Sequence, residues 1–173
     1  MNKKELLEEI SKLIDDYEYS QHEVSEAQKL EFEDHNFKVN SDGWEKITVD
    51  DESYLVNEEE DIWEFSDGEA KGEQLFTWDA MMRETKKVGK RVPTDEEFDI
   101  LLKTKEDMPN LVYAGHRSTS GAFSYLGSYA NFWSSSQSSS TYAWSRYLHS
   151  SESRVNRATD TKTHGFSVRC LKD

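Results

Sequence analysis

A single cysteine, Cys170, stands in the whole chain, so an internal disulfide and any multi-cysteine metal site are excluded. Cys170 alternates with Phe166 and Val168, the pattern of a buried structural thiol. No stretch approaches the roughly 18 consecutive apolar residues of a membrane-spanning helix. The opening Met1-Asn2-Lys3-Lys4-Glu5 has no apolar segment behind its lysines and does not read as a secretory signal. Basic residues are scarce in the first half. Residues 1–76 carry 24 acidic and 7 basic side chains, a balance of −17, against 11 acidic and 14 basic in residues 77–173, a balance of +3. So acidic a first half would repel phosphate, and the second half is too weakly basic to argue for nucleic-acid binding.

Aliphatic residues are also modest in number, but 5 Trp, 8 Tyr and 8 Phe supply large rings for a core. Such an aromatic load is foreign to disordered chains. The 173 residues suit one domain with an appendage. Leu6, Leu7, Ile10, Leu13, Ile14 and Tyr17 recur at helical spacing, so residues 4–18 are expected to form an amphipathic helix. That helix is a candidate for docking to a larger assembly. Residues 18–43 read as an acidic linker, which places a domain boundary between 43 and 44.

From Trp44 onward the pattern is α+β. Short strands are expected at 44–49, 53–56 and 61–65, followed by two punctuated helices. Thr77 caps the first, which ends before Gly89. Thr94 and Glu97 form a capping box for the second, which is expected to reach about Lys105. Beyond Pro109, strands are expected at 111–113, 122–125, 131–133, 142–148, 154–157 and 165–171. Strands, two helices, then more strands describe an α+β domain.

Residues 134–153 contain ten serines, interleaved with Trp144, Tyr147 and Leu148 rather than with linker residues. Alternation puts Trp144, Arg146 and Leu148 on one face of a strand and Ser145, Tyr147 and His149 on the other. In the same way Phe166, Val168 and Cys170 oppose Ser167 and Arg169. Large residues thus form a frame, with Trp144 expected in the core. The opposite positions carry hydroxyls, Tyr, His and Arg, the palette of an adaptable recognition surface. An ordinary solvated face of hydroxyl-rich strands has the same composition.

The runs Phe76–Glu84 and Gly89–Phe98, Asn131-Phe-Trp-Ser-Ser-Ser136, Tyr142-Ala-Trp-Ser-Arg-Tyr-Leu148 and Gly165-Phe-Ser-Val-Arg-Cys170 resemble the C-type-lectin-like superfamily. Within it they resemble the Fibrobacter succinogenes major paralogous domain, the formylglycine-generating-enzyme fold and the variable proteins of diversity-generating retroelements. The resemblance covers about Trp44 to Asp173. It implies two helices packed on short antiparallel strands, with a variable region at about 134–164.

In the retroelement variable proteins, adenines of Asn-type codons near the C-terminus are rewritten. Such codons yield Ser, Thr, Tyr, His, Arg, Asp, Ala or Asn but never Lys, Glu, Gln, Trp or Met. The resemblance therefore implies ligand-binding, variable positions at Ser138, Ser139, Ser140, Ser145, Tyr147, His149, Ser150, Ser151, Ser153, Arg154, Asn156, Ala158, Thr159, Asp160, Thr161, Thr163 and His164. It implies a fixed scaffold of Trp133, Trp144, Arg146, Leu148, Phe166 and Val168, with Glu152 and Lys162 also unwritten. The ligand would be a protein or glycan on a cell surface. Paralogous-domain relatives often carry a secretion signal and paired cysteines. A virion protein assembled in the cytoplasm needs neither, so a phage or viral receptor-binding protein is expected ahead of a secreted lipoprotein or cell-associated adhesin.

Catalytic and cofactor chemistry is not expected. Formylglycine-generating enzymes depend on a cysteine pair, and Cys170 is alone. No Gly-x-Ser-x-Gly elbow, His-Glu-x-x-His or phosphate-binding glycine loop occurs. His116, His149, His164 and Ser118 read as turn or strand-face residues. The Glu-Pro-Asn and Trp-Asn-Asp motifs of calcium-dependent lectins are missing, and Asp50–Glu52 and Glu58–Asp61 lack the spacing of a calcium loop. They read as solvated acidic turns, and no metal site is expected.

Overall fold

The computed structural model describes residues 2–27 and 30–172, which fall into two units, 1–31 and 32–173. The first is helix α1 (Lys3–Ala27). Asn2 caps it reciprocally: the Glu5 amide donates to Asn2 Oδ1 at 2.9 Å and the Asn2 amide donates to Glu5 Oε2 at 3.0 Å. The helix runs past the expected end at residue 18, because residues 19–27 contain neither Gly nor Pro to stop it. Leu6, Leu7, Ile10, Leu13 and Ile14 are 44–67% exposed. No helix among the described residues is long and apolar enough to cross a membrane.

The second unit starts at Phe32, not at Trp44. Phe32 bridges Leu171, and the Glu33 amide donates to the Cys170 carbonyl at 3.0 Å. Gln74 clasps Val39 through two further bonds of 2.7 and 2.8 Å. Apolar anchors at Phe32, Phe37 and Val39 therefore draw this segment onto the domain, despite its acidic composition.

Strands β1 (Glu45–Val49), β2 (Glu52–Asn57), β3 (Ile62–Phe65) and β4 (Gln74–Phe76) form an antiparallel sheet in chain order. Asp50 and Asp51, at φ 49° and 67°, make the two-residue turn between β1 and β2. Two successive left-handed residues match the twist of a tight hairpin, so this acidic pair has a structural role as a turn. Helix α2 (Trp78–Lys87) is capped by Thr77, whose hydroxyl accepts from the Ala80 amide at 3.3 Å. Helix α3 (Asp95–Leu101) has the expected Thr94/Glu97 capping box but stops at Leu101, four residues early. A short 3-10 turn, Lys105–Asp107, follows.

Strands β5 (His116–Arg117) and β6 (Phe123–Ser124) form a small hairpin. Strands β7 (Tyr129–Gln137), β8 (Tyr142–His149) and β9 (Val155–Thr161) form the second large sheet, with β8 in the middle. The mixed α+β class holds, with all three sheets antiparallel. Residues 111–113 are irregular rather than a strand. Residues 165–171 make only isolated bridges: Gly165 to Arg117, Phe166 to Phe76, Ser167 to Phe132 and Leu171 to Phe32. They thread between elements instead of joining one edge.

Threading buries both sides of that last segment. Phe166, Val168 and Cys170 join Ile62, Phe76, Met81 and Trp133 in one apolar cluster. Ser167 and Arg169, expected on an open face, are 0% and 2% exposed. The Arg169 guanidinium donates to both Glu73 carboxylate oxygens at 2.8 and 2.9 Å and to the Asn110 carbonyl at 3.0 Å. A buried guanidinium needs such a bidentate partner, so Arg169 belongs to the interior rather than to a recognition surface.

Candidate functional site

The register of the β7–β8–β9 sheet decides which side chains share a face. Tyr129, Asn131 and Trp133 lie opposite His149, Tyr147 and Ser145; on β9, Asn156 pairs with Tyr147, Ala158 with Ser145 and Asp160 with Ala143. The other face carries Ala130, Phe132, Trp144, Arg146, Leu148, Val155 and Arg157. Its inner part packs on Phe98 of α3 and on Leu102, the residue that ends the helix. There Arg146 donates to Asp95 Oδ1 at 2.6 Å, and Arg157 donates to Asp95 Oδ2 at 2.6 Å. Burial alone would push the Asp95 carboxyl up. Hydrogen bonds and charge from Arg157 and Arg146 outweigh it and hold the group below the usual carboxylate range.

Being central, β8 is covered on parts of both faces, and this corrects two expectations. Ser145 is 2% exposed and donates to Asp160 Oδ2 at 2.6 Å, so it orients a carboxylate instead of meeting a ligand. Trp144 is only half-buried, with the Arg157 guanidinium 3.5 Å over its ring. Trp133, Arg146, Leu148, Phe166 and Val168 are all buried.

The remaining candidate positions are not gathered in one place. Ser138, Ser139 and Ser140 lie exposed at the β7–β8 turn. Ser150, Ser151, Ser153 and Arg154 lie exposed at the β8–β9 turn, at the other end of the sheet. An eight-residue strand separates the turns by about 24 Å. Thr159 and Thr161 face away from the Tyr147 side, and Thr163 is exposed past the end of β9. Only Tyr147, His149, Asn156, Ala158 and Asp160 share the partly open face, with His164 beside it.

On that face lies a cleft of about 280 Å³, lined by His116, Tyr125, Tyr129, Asn131, Tyr147, Ala158 and Asp160. Its aromatic rings are inclined to one another. Tyr125 and Tyr129 meet at 5.1 Å and 77°, and Tyr129 and Tyr147 at 6.1 Å and 56°. Tyr129 also meets the His149 ring at 4.7 Å and 78°. His116 stands 5.6 Å from Tyr125 and 5.7 Å from His164. Burial, then the neighbouring His164, pull the His116 pKa below its ordinary value, so it is neutral at pH 7.

Two backbone features hold the rim. Tyr125 is 58% exposed and adopts φ 64°, a left-handed conformation that bulky residues rarely take. Gly115 (φ 65°) lies directly beneath it: a Cβ there would overlap the Ser124 carbonyl oxygen and lie 2.8 Å from the Tyr125 carbonyl carbon. Strain of this kind persists only where surrounding structure enforces it, and it recurs at binding sites.

His116, Tyr125, Tyr129 and Asn131 were absent from the sequence-derived site. Continuing the alternation of Trp133 back through Asn131 to Tyr129 would have put two of them on the correct face. Nothing local points to Tyr125 or His116, which reach the cleft only through the β5–β6 hairpin region.

A larger groove of about 810 Å³ flanks α2 and is lined by Trp78, Met82, Arg83, Lys86, Lys90 and Arg91. Several of its cations are paired: Arg83 with Glu84, Lys90 with Glu33 and Arg91 with Glu97. Among the described residues no group of three or more His, Cys, Asp or Glu is placed to hold a metal ion.

The second unit is thus a mixed α+β domain with an aromatic cleft on its C-terminal sheet. Residues 102–172, which hold that sheet and every residue lining the cleft, match the family model described as the Fibrobacter succinogenes major domain. Neither a curated protein nor a solved structure matches the chain.

Proposed function

We propose that this chain is a ligand-recognition protein that displays a diversifiable surface on a C-type-lectin-like scaffold. In this reading it is a variable protein of a diversity-generating retroelement. It is carried on a phage or virus particle, binds a protein or glycan on a cell surface, and acts without catalysis or cofactor. The exposed apolar stripe of α1 supports attachment of that helix to a larger assembly.

The observation that carries the reading is the split in burial. Of the seventeen positions open to rewriting, sixteen retain exposure and only Ser145 is buried. Of the six scaffold residues, five are buried. Substitution at most candidate positions would therefore change the surface while leaving the packed interior intact. The family match over residues 102–172 supports the same scaffold.

One observation favours a second reading, a surface adhesin without diversification. The cleft is pre-formed, and His116, Tyr125, Tyr129 and Asn131 lie outside the rewritable positions, as suits a fixed ligand. Sequencing the DNA beside the gene separates the two. A near-copy of the 3′ end, differing mainly at template adenines and lying next to a reverse transcriptase, is the expected result. Its absence sinks the retroelement reading and leaves the adhesin.

A further inference from the structure

We propose that the cleft between the β5–β6 hairpin region and the β7–β8–β9 sheet is a receptor for an alkylammonium cation. This rests on the reading that the chain recognises a ligand, and it names the chemistry of one subsite.

The lining is one-sided in charge. Three tyrosines and a histidine supply rings, Asn131 supplies an amide, Asp160 supplies a carboxylate, and no Lys or Arg lines the space. His116 adds no positive charge at neutral pH, because burial and His164 depress its pKa. The electron-rich faces of aromatic rings attract cations, most strongly where several rings surround a desolvated head group. A flat sugar face would favour one broad platform. Here adjacent rings stand at 77° and 56°, the geometry of a corner that encloses a compact group. The Asp160 carboxylate is steadied by the 2.6 Å bond from Ser145, a side chain only 2% exposed. A polar atom buried behind the wall thus aims the single anion of the cleft.

The division of labour is informative. His116, Tyr125 and Tyr129 form a wall outside the rewritable positions, whereas Tyr147, Ala158 and Asp160 are rewritable. A fixed aromatic wall would therefore be tuned by exchange on its opposite side, with Asp160 and Tyr147 conferring cation preference on this particular chain.

The test is titration of the full chain with tetramethylammonium and choline, followed by calorimetry and by the ring resonances of His116, Tyr129 and Tyr147. The neutral isostere of choline, 3,3-dimethylbutanol, is the control. Saturable binding of both cations is expected, with the isostere at least about tenfold weaker. Tyr147→Leu should weaken the cations roughly threefold to thirtyfold, while Tyr147→Phe keeps most of the affinity. Asp160→Asn should weaken them without unfolding the domain. Equal binding of the isostere, unchanged affinity in Tyr147→Leu, or no saturable binding would overturn the inference.

Phosphocholine and N-acetyl-trimethyllysine methylamide then separate a lipid or polymer head group from a modified side chain, according to which binds tighter. The two proposals also fail separately. Cation binding lost while partner capture still responds to changes at 138–164 sinks the cation site alone. Cation binding kept while capture ignores those positions sinks the display reading alone.

Discussion

Asp95 is the point at which the C-terminal sheet is fastened to α3, and removing its charge is the sharpest test of the packing described above. Asp95→Asn preserves shape but leaves the Arg146 guanidinium, 2% exposed, without its main counter-ion. Arg157 has a side chain 47% exposed and can turn to water. Arg146 cannot, because Phe98 and the sheet enclose it. Stranding one member of a buried pair typically costs about 3–5 kcal/mol. Asp99 Oδ1, 3.0 Å from Arg146 on a side chain 64% exposed, offers partial compensation, so the lower end, about 3 kcal/mol, is expected. At about 2–4 °C per kcal/mol for a domain of this size, the melting point should fall by about 6–12 °C. Urea unfolding followed by tryptophan fluorescence at pH 7 measures the loss directly. Adding Arg146→Met to Asp95→Asn removes the stranded charge and should recover at least half of it. The Asp95 carboxyl is held below its unfolded value. Its contribution is therefore full above the ordinary carboxylate pKa of about 4 and fades as pH falls through the lower, folded value. The gap between wild type and Asp95→Asn should accordingly narrow on acidification. A loss under about 1 kcal/mol at pH 7, or a double variant worse than the single one, would refute the reasoning.

Trp144→Ala should cost only about 1–2 kcal/mol in the same assay, because the ring is incompletely buried and its stacked cation, Arg157, is exposed; a loss above about 3 kcal/mol would mean it is core after all. Ser145→Tyr should destabilise by about 1–3 kcal/mol through overpacking, whereas Ser150→Tyr, at an open turn, should stay within about 0.5 kcal/mol. Gly115→Ala should displace the Ser124–Leu126 segment, seen as loss of the contact between the Tyr125 and Tyr129 rings in nuclear Overhauser spectra, and should weaken any ligand bound in the cleft.

Local physics wrote several parts of this protein legibly in its sequence. Thr77 and the Thr94/Glu97 box mark helix starts because caps are satisfied by neighbours within a few residues. Alternation in 142–149 assigned each side chain to the correct face of β8, since a strand has a period of two whatever it packs against. Face and exposure are different quantities, however. Exposure depends on what lies over the sheet, and β8 is central, with α3 covering one face and the Phe76–Phe166 cluster part of the other. That is why Ser145 is buried and Trp144 is not. The same cause hid Arg169, whose partner Glu73 is 96 residues away. It hid the cleft too, where Tyr125 and His116 from the hairpin region meet Tyr147 and Asp160 from the sheet. Turns, caps and strand faces follow from neighbours along the chain; the buried ion pairs, the depth of each side chain and the ring cluster exist only once distant segments are folded together.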